Sequence, residues 1–520
     1  MGKCRVYMIC TFLAYLLFIV MLHTQLELFD ITPNDTLIYG SVHEKQFDTY
    51  KQRETYKEDT LDNKVTVTTN VTRYQHTVIQ NQPKSEVTEK IIKFNKKINL
   101  SSSQYEFPLT EECNKTEDTK NPLYFRELYP MLYLYSAYYD ERVKETDGQH
   151  YIRLISLVKK HHRINLFCHF ELQGQQNLKS KYVWTEVEYY EMCENHGKKF
   201  GGYILSCKVP REELGHIPCS VTISSVHPLN PTVPNLTIPI FSLSQENMTH
   251  PKKDFGVCIP PLFGDQDVTK IVQFIELTRI LGASHFILYI AEIKNELLQI
   301  LQYYEYIGIL TLIQWKMPVQ SKMVWYNGQL LAINDCLYRS MRYFKHVIFN
   351  DLDEFLVPRG VVNWNSMVKQ LQQNYTNRND IAGFSFKSAF FPINTGLQTK
   401  GTFHHIDITQ RVITLSSVRR KVMVNPRNIF ELGIHHISRP FAMRHHGIAV
   451  NEKYAILHHY RKCTSEFDNE MKCKRLVKDS TILKYANELK QNVNAVMNDY
   501  RETMKYVSIS RNLSTISVIL

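Results

Sequence analysis

Asn350, Asp351, Asp353 and Glu354 crowd into five consecutive positions of KHVIFNDLDEFLVP, residues 345–358, with only Leu352 between them. Carboxylates this close repel one another unless a positive charge sits among them or all of them point into water. Two oxygen ligands on one side suit a hard divalent cation, which would also relieve the repulsion. With a period of two, Asp351 and Asp353 can point the same way while Leu352 turns back into the core. An ion held by so few protein ligands keeps open positions that a diphosphate could fill. His459, in HHYR near the C-terminal side, is a candidate third ligand, because a manganese-like ion accepts imidazole beside carboxylates; a histidine packed in an aromatic strand is the competing reading. Arg461 could steady a diphosphate, or make a surface salt bridge. An Asp-x-Asp triplet alone occurs by chance in many proteins, so its surroundings decide its meaning.

Those surroundings alternate between strand and helix. Val347, Ile348 and Phe349 form a short buried strand, and the acidic run emerges at its carboxyl end. Upstream, FGVCIPPLFG reads as a strand ending in a loop. In DVTKIVQFIELTRILG, Val268, Ile271, Val272, Ile275 and Ile280 fall near helical spacing, and Gly282 ends the run. HFILYI is a strand, ELLQILQYYEYIG a helix and ILTLIQW a strand. In the following segment Leu330, Ile333, Leu337, Met341 and Phe344 share one helical face. Such alternation indicates an α/β fold with a mostly parallel sheet, and in such sheets ligands sit at the carboxyl ends of strands.

The rest of the 520 residues supplies the setting. Lys3 and Arg5 precede an uncharged run at 6–22, which at 1.5 Å per residue spans roughly 25 Å of helix. No small-x-small cleavage site follows, so an uncleaved signal anchor with residues 1–5 in the cytosol is expected. Residues 23–122 are polar and lack apolar periodicity, which reads as a flexible stem. Residues 123–250 carry short β-rich runs and are expected to form an accessory domain without a site, with LNPTVPNLTIPIF as an extended linker out of it. A catalytic domain at 251–475 follows, and 476–520 reads as an amphipathic helix that covers it or makes a homodimer contact. Sequons at Asn34, Asn70, Asn99, Asn114, Asn235, Asn247, Asn374 and Asn512 fit a lumenal chain. Nine of the eleven cysteines lie beyond residue 22, where an oxidising lumen permits disulfides such as Cys168–Cys207 and Cys463–Cys473. The formal charge of +11 comes from Lys and Arg spread along the chain. That excludes a nucleic-acid stripe.

VCIPPLFG, QFIELTRILGASHFILYI, WYNGQLLAINDCLYR, FNDLDEFLVP, GIHHISR and ILHHYR occur in the order found in glycosyltransferase family 92, which residues 255–463 resemble. The chain is similar to that family's β-1,4-galactosyltransferases. The resemblance implies a GT-A-type fold, UDP-galactose as donor, and manganese (or magnesium) as the ion. It also implies N-glycans of glycoproteins as acceptors, extended on fucose or galactose in the Golgi. In GT-A folds the ion would bridge Asp353 and the phosphates, while Asp351 contacts the ribose or a metal-bound water. A β-linkage from an α-linked donor requires inversion, hence a carboxylate to take the acceptor proton. Glu431 and Asp335 are the candidates, although Asp335 lies on a helix where structural bonding is the commoner use. Glu354 would orient the ligands. Trp325 and Tyr326, with Trp315, could stack on an acceptor sugar or pack in the core, and His435 and His436 could line the same cleft. The same fold with another donor or acceptor, or an inactive lumenal lectin, are the alternatives.

Overall fold

The computed structural model describes residues 124–516, apart from 143–147, 173–180, 211–217, 243–252, 374, 376, 394–402 and 464–474. The expected tail, anchor and stem at 1–122 lie outside them; among the described residues no helix is long and apolar enough to cross a membrane.

The N-terminal part of this region is all strand: β1 (Arg126–Tyr129), β2 (Leu132–Asp140), β3 (Tyr151–Lys159), β4 (Phe167–Leu172), β5 (Lys181–Glu191), β6 (Phe200–Lys208), β7 (Ser220–Ser224) and β8 (Asn235–Ser242). They hydrogen-bond in the order β1-β2-β3-β6-β5-β4-β7-β8, and β8 also pairs with β2. The expected extended linker is therefore a correction. Asn235–Ser242 is a paired strand, with Leu236 and Ile238 facing Ile223 and Val221 of β7. Cys168 and Cys207 form the expected disulfide inside this core.

The α/β part runs β9 (Lys253–Gly264), α1 (Val268–Leu281), β10 (His285–Ile293), α2 (Asn295–Tyr306), β11 (Leu310–Gln314), α3 (Gln329–Ser340), β12 (Phe344–Phe349), β13 (Glu354–Pro358) and α4 (Trp364–Gln372). Strands β14 (Ile381–Pro392), β15 (Gln410–Val412), β16 (Leu415–Val424), β17 (Ile429–Leu432), β18 (Ile437–Pro440), β19 (His446–Ala449), β20 (Ala455–Arg461) and β21 (Leu476–Lys478) follow, before helix α5 (Ala486–Ile516). The main sheet has the order β11-β10-β9-β12-β16-β14-β20-β13, with β19 beside β14. Its first four strands are parallel, while β16 and β13 run antiparallel to their neighbours. The fold is mixed α/β.

Local chemistry explains the elements. The Asp267 carboxylate accepts the Thr269 N–H at 2.8 Å and caps α1, and Gly282, at φ 132°, ends it where a side chain would be strained. α1 is buried on nearly every side because the sheet lies beneath it and α5 packs above, burying Leu489 and Val493. Its buried Glu276 is satisfied by Arg279 at 2.9 Å and the Tyr304 hydroxyl at 3.0 Å. Helix α3 stops at Ser340, so Phe344 belongs to β12 rather than to the helical face expected for it. α3 is buried throughout, between the main sheet and the strand-rich part. Phe125, Tyr135, Trp315 and Tyr289 stack edge to face or tilted in one shared core. Trp315, 1% exposed, is thus a core residue and not an acceptor platform. A second disulfide, Cys258–Cys336, ties β9 to α3. All seven cysteines among the described residues are disulfide-bonded, Cys463 included; Cys473 lies outside those residues.

Burial also sets an acid limit on stability. His285, on β10, donates to the Gly308 carbonyl through Nδ1 and accepts from Thr311 through Nε2 at 2.8 Å. Burial, with Lys253 nearby, pulls its pKa down to about 4. A depressed folded-state value gives stability that is complete above the unfolded pKa of about 6.5 and is lost as pH falls toward 4, on the order of 3 kcal/mol. Thermal melts should therefore fall between pH 6.5 and 4, and His285→Gln should flatten that slope. An unchanged slope would place the acid sensitivity elsewhere.

Candidate active site

The chain leaves β12 at its carboxyl end and turns at once. Residues 351–353 form a tight turn, not the extended run expected: the Asp351 carbonyl accepts the Glu354 N–H at 3.1 Å, and the Glu354 carboxylate accepts the Asp351 N–H at 3.0 Å. A period of two does not hold in a turn, so Asp351 and Asp353 face different partners. Leu352 packs against the main core, as anticipated.

Asp353 meets His459. The two strands β13 and β20 pair so that Glu354 lies opposite His459, and the Tyr460 N–H donates to the Asp353 carbonyl at 2.9 Å. This register brings His459 Nε2 to 3.3 Å from Asp353 Oδ2 and His459 Nδ1 to 3.6 Å from Glu354 Oε1. Burial works against a charged imidazole here, yet the Asp353 and Glu354 carboxylates outweigh it and raise the His459 pKa. Burial likewise works against the Asp353 carboxylate, but His459 and the nearby Arg461 charge hold its pKa below the ordinary value. The Asp353 side chain keeps 43% of its surface exposed.

Asp351 meets a residue that sequence reasoning missed. Lys421, on β16, donates from Nζ to Asp351 Oδ2 at 2.9 Å and pairs with Glu354 Oε2 at 3.2 Å. Burial disfavours the ammonium, but these two carboxylates offset it and hold the pKa above the usual lysine range. The counter-charge that the acidic run demands is built into the protein. Glu354 touches every member of the group and is buried, which raises its pKa.

The donor set admits a divalent ion on one edge. Neighbouring ligands of an octahedral ion with bonds near 2.1 Å sit roughly 3 Å apart, close to the Asp353–His459 separation. Among the described residues no three His, Cys, Asp or Glu side chains converge on one point. The arrangement fits an ion with two protein ligands and open positions, and it does not fit a closed cage.

The two proposed bases are placed elsewhere. Asp335 is fully buried on α3, accepting from Arg339 Nε at 2.6 Å, Ser136 at 2.6 Å, Tyr138 at 2.7 Å and Tyr289 at 2.6 Å. With both oxygens engaged away from solvent, it is a structural anion, which corrects its assignment as a base. Glu431, on β17, is also fully buried; it accepts from the Tyr190 hydroxyl at 2.6 Å and the Cys193 N–H at 2.7 Å, and burial raises its pKa. It holds the β5–β6 loop against the β17–β18 hairpin.

That loop is a second feature the sequence did not reveal, because the strand-rich part was expected to hold no site. Glu194 accepts the Ile434 N–H, and its other oxygen lies 3.7 Å from His436 Nδ1. A Cβ on Gly433 would stand 2.5 Å from the Glu194 carboxylate, so the approach requires glycine. His435, next to them, bonds to the Arg420 carbonyl at 3.0 Å. Burial and the Lys421 charge lower its pKa to about 4, while Asp351 and Glu194 oppose the shift. On the other side of the loop His196 stacks on Trp325 with ring centres 4.1 Å apart. Trp325 and Tyr326 therefore neighbour this loop, with Tyr326 60% exposed and Phe263 against its ring. Tyr326, Asn327 and Gly328 all take left-handed backbone (φ 44°, 53° and 76°), a conformation that costs non-glycine residues about 1–2 kcal/mol each. Arg461 is exposed at the end of β20. Of the sequons, Asn235 is exposed on β8 and Asn512 falls within α5; the others lie outside the described residues.

The chain is similar to known glycosyltransferases. Beta-1,4-galactosyltransferase galt-1 of Caenorhabditis elegans is 28% identical over 354 residues, covering 66% of this chain and 77% of that protein. A second Caenorhabditis elegans protein, described as a glycosyltransferase family 92 protein, is 30% identical over 133 residues, covering 24% of this chain and 26% of its own length. Among solved structures, S. aureus TarS 1–349 in complex with UDP-GlcNAc aligns over 41% of this chain and 60% of that one, at 11% identity and a TM-score of 0.22. So weak a likeness carries neither fold nor ligand across. Residues 253–493, which hold the acidic turn, Lys421 and His459, match the model of glycosyltransferase family 92. The chain thus carries a region that matches glycosyltransferase family 92, and it is a glycosyltransferase.

Proposed function

We propose that this glycosyltransferase is a metal-dependent, inverting galactosyltransferase with a GT-A-type catalytic domain. In this reading it transfers galactose from UDP-galactose in β-1,4 linkage to fucose or galactose on N-glycans. The observation that carries it is the Asp353–His459 pair, 3.3 Å apart at the carboxyl end of a central strand. The similarity to a protein named a beta-1,4-galactosyltransferase supports the sugar and linkage. The disulfides support an oxidising compartment, in keeping with a Golgi lumen and an anchor at residues 6–22.

Manganese or magnesium on Asp353 and His459 would supply Lewis-acid charge to the departing diphosphate. Arg461 adds positive charge beside Asp353, and Lys421 keeps Asp351 from repelling the phosphates. Asp351, with 40% of its side chain exposed, is free on its outer side to accept sugar hydroxyls. Trp325 and Tyr326 offer ring faces for the acceptor. Inversion needs a base near the acceptor, and Glu194 suits that role better than Glu431 or Asp335. Its side chain is 21% exposed, and it neighbours both the His435 region and the Trp325 turn.

The deciding experiment is product analysis by mass spectrometry and linkage mapping, with a panel of donors and an array of N-glycans. Galactose transferred in β-1,4 linkage is the expected result; transfer from another donor overturns the sugar assignment. Glu194→Gln should lower kcat by about a hundredfold or more, with little change in donor KM. A loss of that kind in Glu431→Gln, with Glu194→Gln near normal, would return the role to Glu431.

A further inference from the structure

The geometry divides three neighbouring carboxylates into two sets. Asp351 and Glu354 share the Lys421 ammonium at 2.9 and 3.2 Å, whereas Asp353 faces the His459 imidazole. Lys421 is only 4% exposed. Its stem is fixed because Lys421 pairs with Phe386 in the middle of the β14–β16 ladder. Glu354 joins the sets, with one oxygen toward Lys421 and the other toward His459 Nδ1.

We propose that Lys421 is a fixed counter-cation that keeps Asp351 out of the metal's coordination shell. A divalent ion then binds on Asp353 and His459 alone and leaves most of its positions to the donor's diphosphate. This inference rests on the metal-dependent reading above. Coordination by Asp351 would set the dication on a carboxylate that already holds a buried ammonium, and the ammonium repels a nearby dication. Lys421 would thus set the number of protein ligands, and through it the room for the leaving group. Asp351 is left as an acceptor for donor hydroxyls.

Manganese binding to the full-length protein in detergent, without nucleotide, tests this by electron paramagnetic resonance and calorimetry. The wild type should bind one equivalent. Asp353→Asn should weaken binding by about tenfold or more, and Asp351→Asn by no more than about twofold. In Lys421→Met the dication takes the place of the missing ammonium, so affinity should rise by about tenfold or a second equivalent should appear. Lys421→Arg should behave as wild type. Equal weakening in Asp351→Asn and Asp353→Asn would overturn the proposal, as would unchanged affinity and stoichiometry in a folded Lys421→Met. Should Lys421→Met fail to fold, the two aspartate variants decide alone. A wild type that binds no manganese also overturns it, while the product assay judges the transferase reading independently.

Discussion

Asp353→Asn should lower kcat by about a thousandfold or more while leaving the melting temperature almost unchanged. Losing one ligand to the ion that offsets the leaving diphosphate removes charge stabilisation where it is strongest in the transition state. The structural cost is small, because the Asp353 side chain is 43% exposed and its side-chain ion pair is with His459. An ion pair that open to water contributes about 1 kcal/mol or less to stability. His459→Gln should lose a comparable share of activity, since it removes the other ligand of the same edge. The check is steady-state kinetics over a manganese series beside thermal melts. If Asp353→Asn turns over at a near-normal rate, the metal assignment fails, and the acidic turn would then be a structural partner for Lys421. A loss of activity matched by a collapse of the fold would say nothing of chemistry, which is why the melt belongs in the same experiment.

The parts of this site that were legible in the sequence are those fixed by neighbours along the chain. Val347, Ile348 and Phe349 announce a buried strand, and the polar run after them marks its carboxyl end. Helices α1 and α2 show in their apolar spacing, and α5 in its amphipathic pattern. Lys421 was not legible. It stands 70 residues from Asp351, and the pairing of β16 with β12 brings them together, while VRRKVMV reads locally as a strand with solvated charges. Glu194 was hidden for the same reason, since it reaches Ile434 across 240 residues. The strand Asn235–Ser242 was mistaken for a linker because Pro234 and Pro239 argue against a ladder; Pro239 sits opposite Ser220, the first residue of β7, where a missing donor is tolerated. Asp351 and Asp353 were expected to converge because a strand was assumed to continue through them, when the chain turns.

Asp335→Asn should destabilise the protein by about 3–5 kcal/mol, the cost of leaving a buried charge without its partner. The charge is Arg339, 2% exposed and held by Asp335 at 2.6 Å. An asparagine could still accept a hydrogen bond from Ser136 or Tyr138, but it cannot neutralise the guanidinium. Burial disfavours that cation, and the Asp335 carboxylate is the first of the partners that offset it. Because Ser136 and Tyr138 come from β2 and Tyr289 from β10, the damage should spread across the boundary between the strand-rich part and the main sheet. Denaturant unfolding measures the loss, and kinetics at low temperature on the folded fraction separate stability from chemistry. The folded fraction should turn over within a few-fold of wild type. A catalytic base would behave in the opposite way, with an intact unfolding curve and a large fall in kcat. The double variant Asp335→Leu with Arg339→Met adds a further control: removing both charges together should recover much of the lost stability, since an apolar pair costs less to bury than a lone ion. Recovery of stability without any change in turnover would establish Asp335 as a strut beneath the active site, and leave the proton transfer to Glu194.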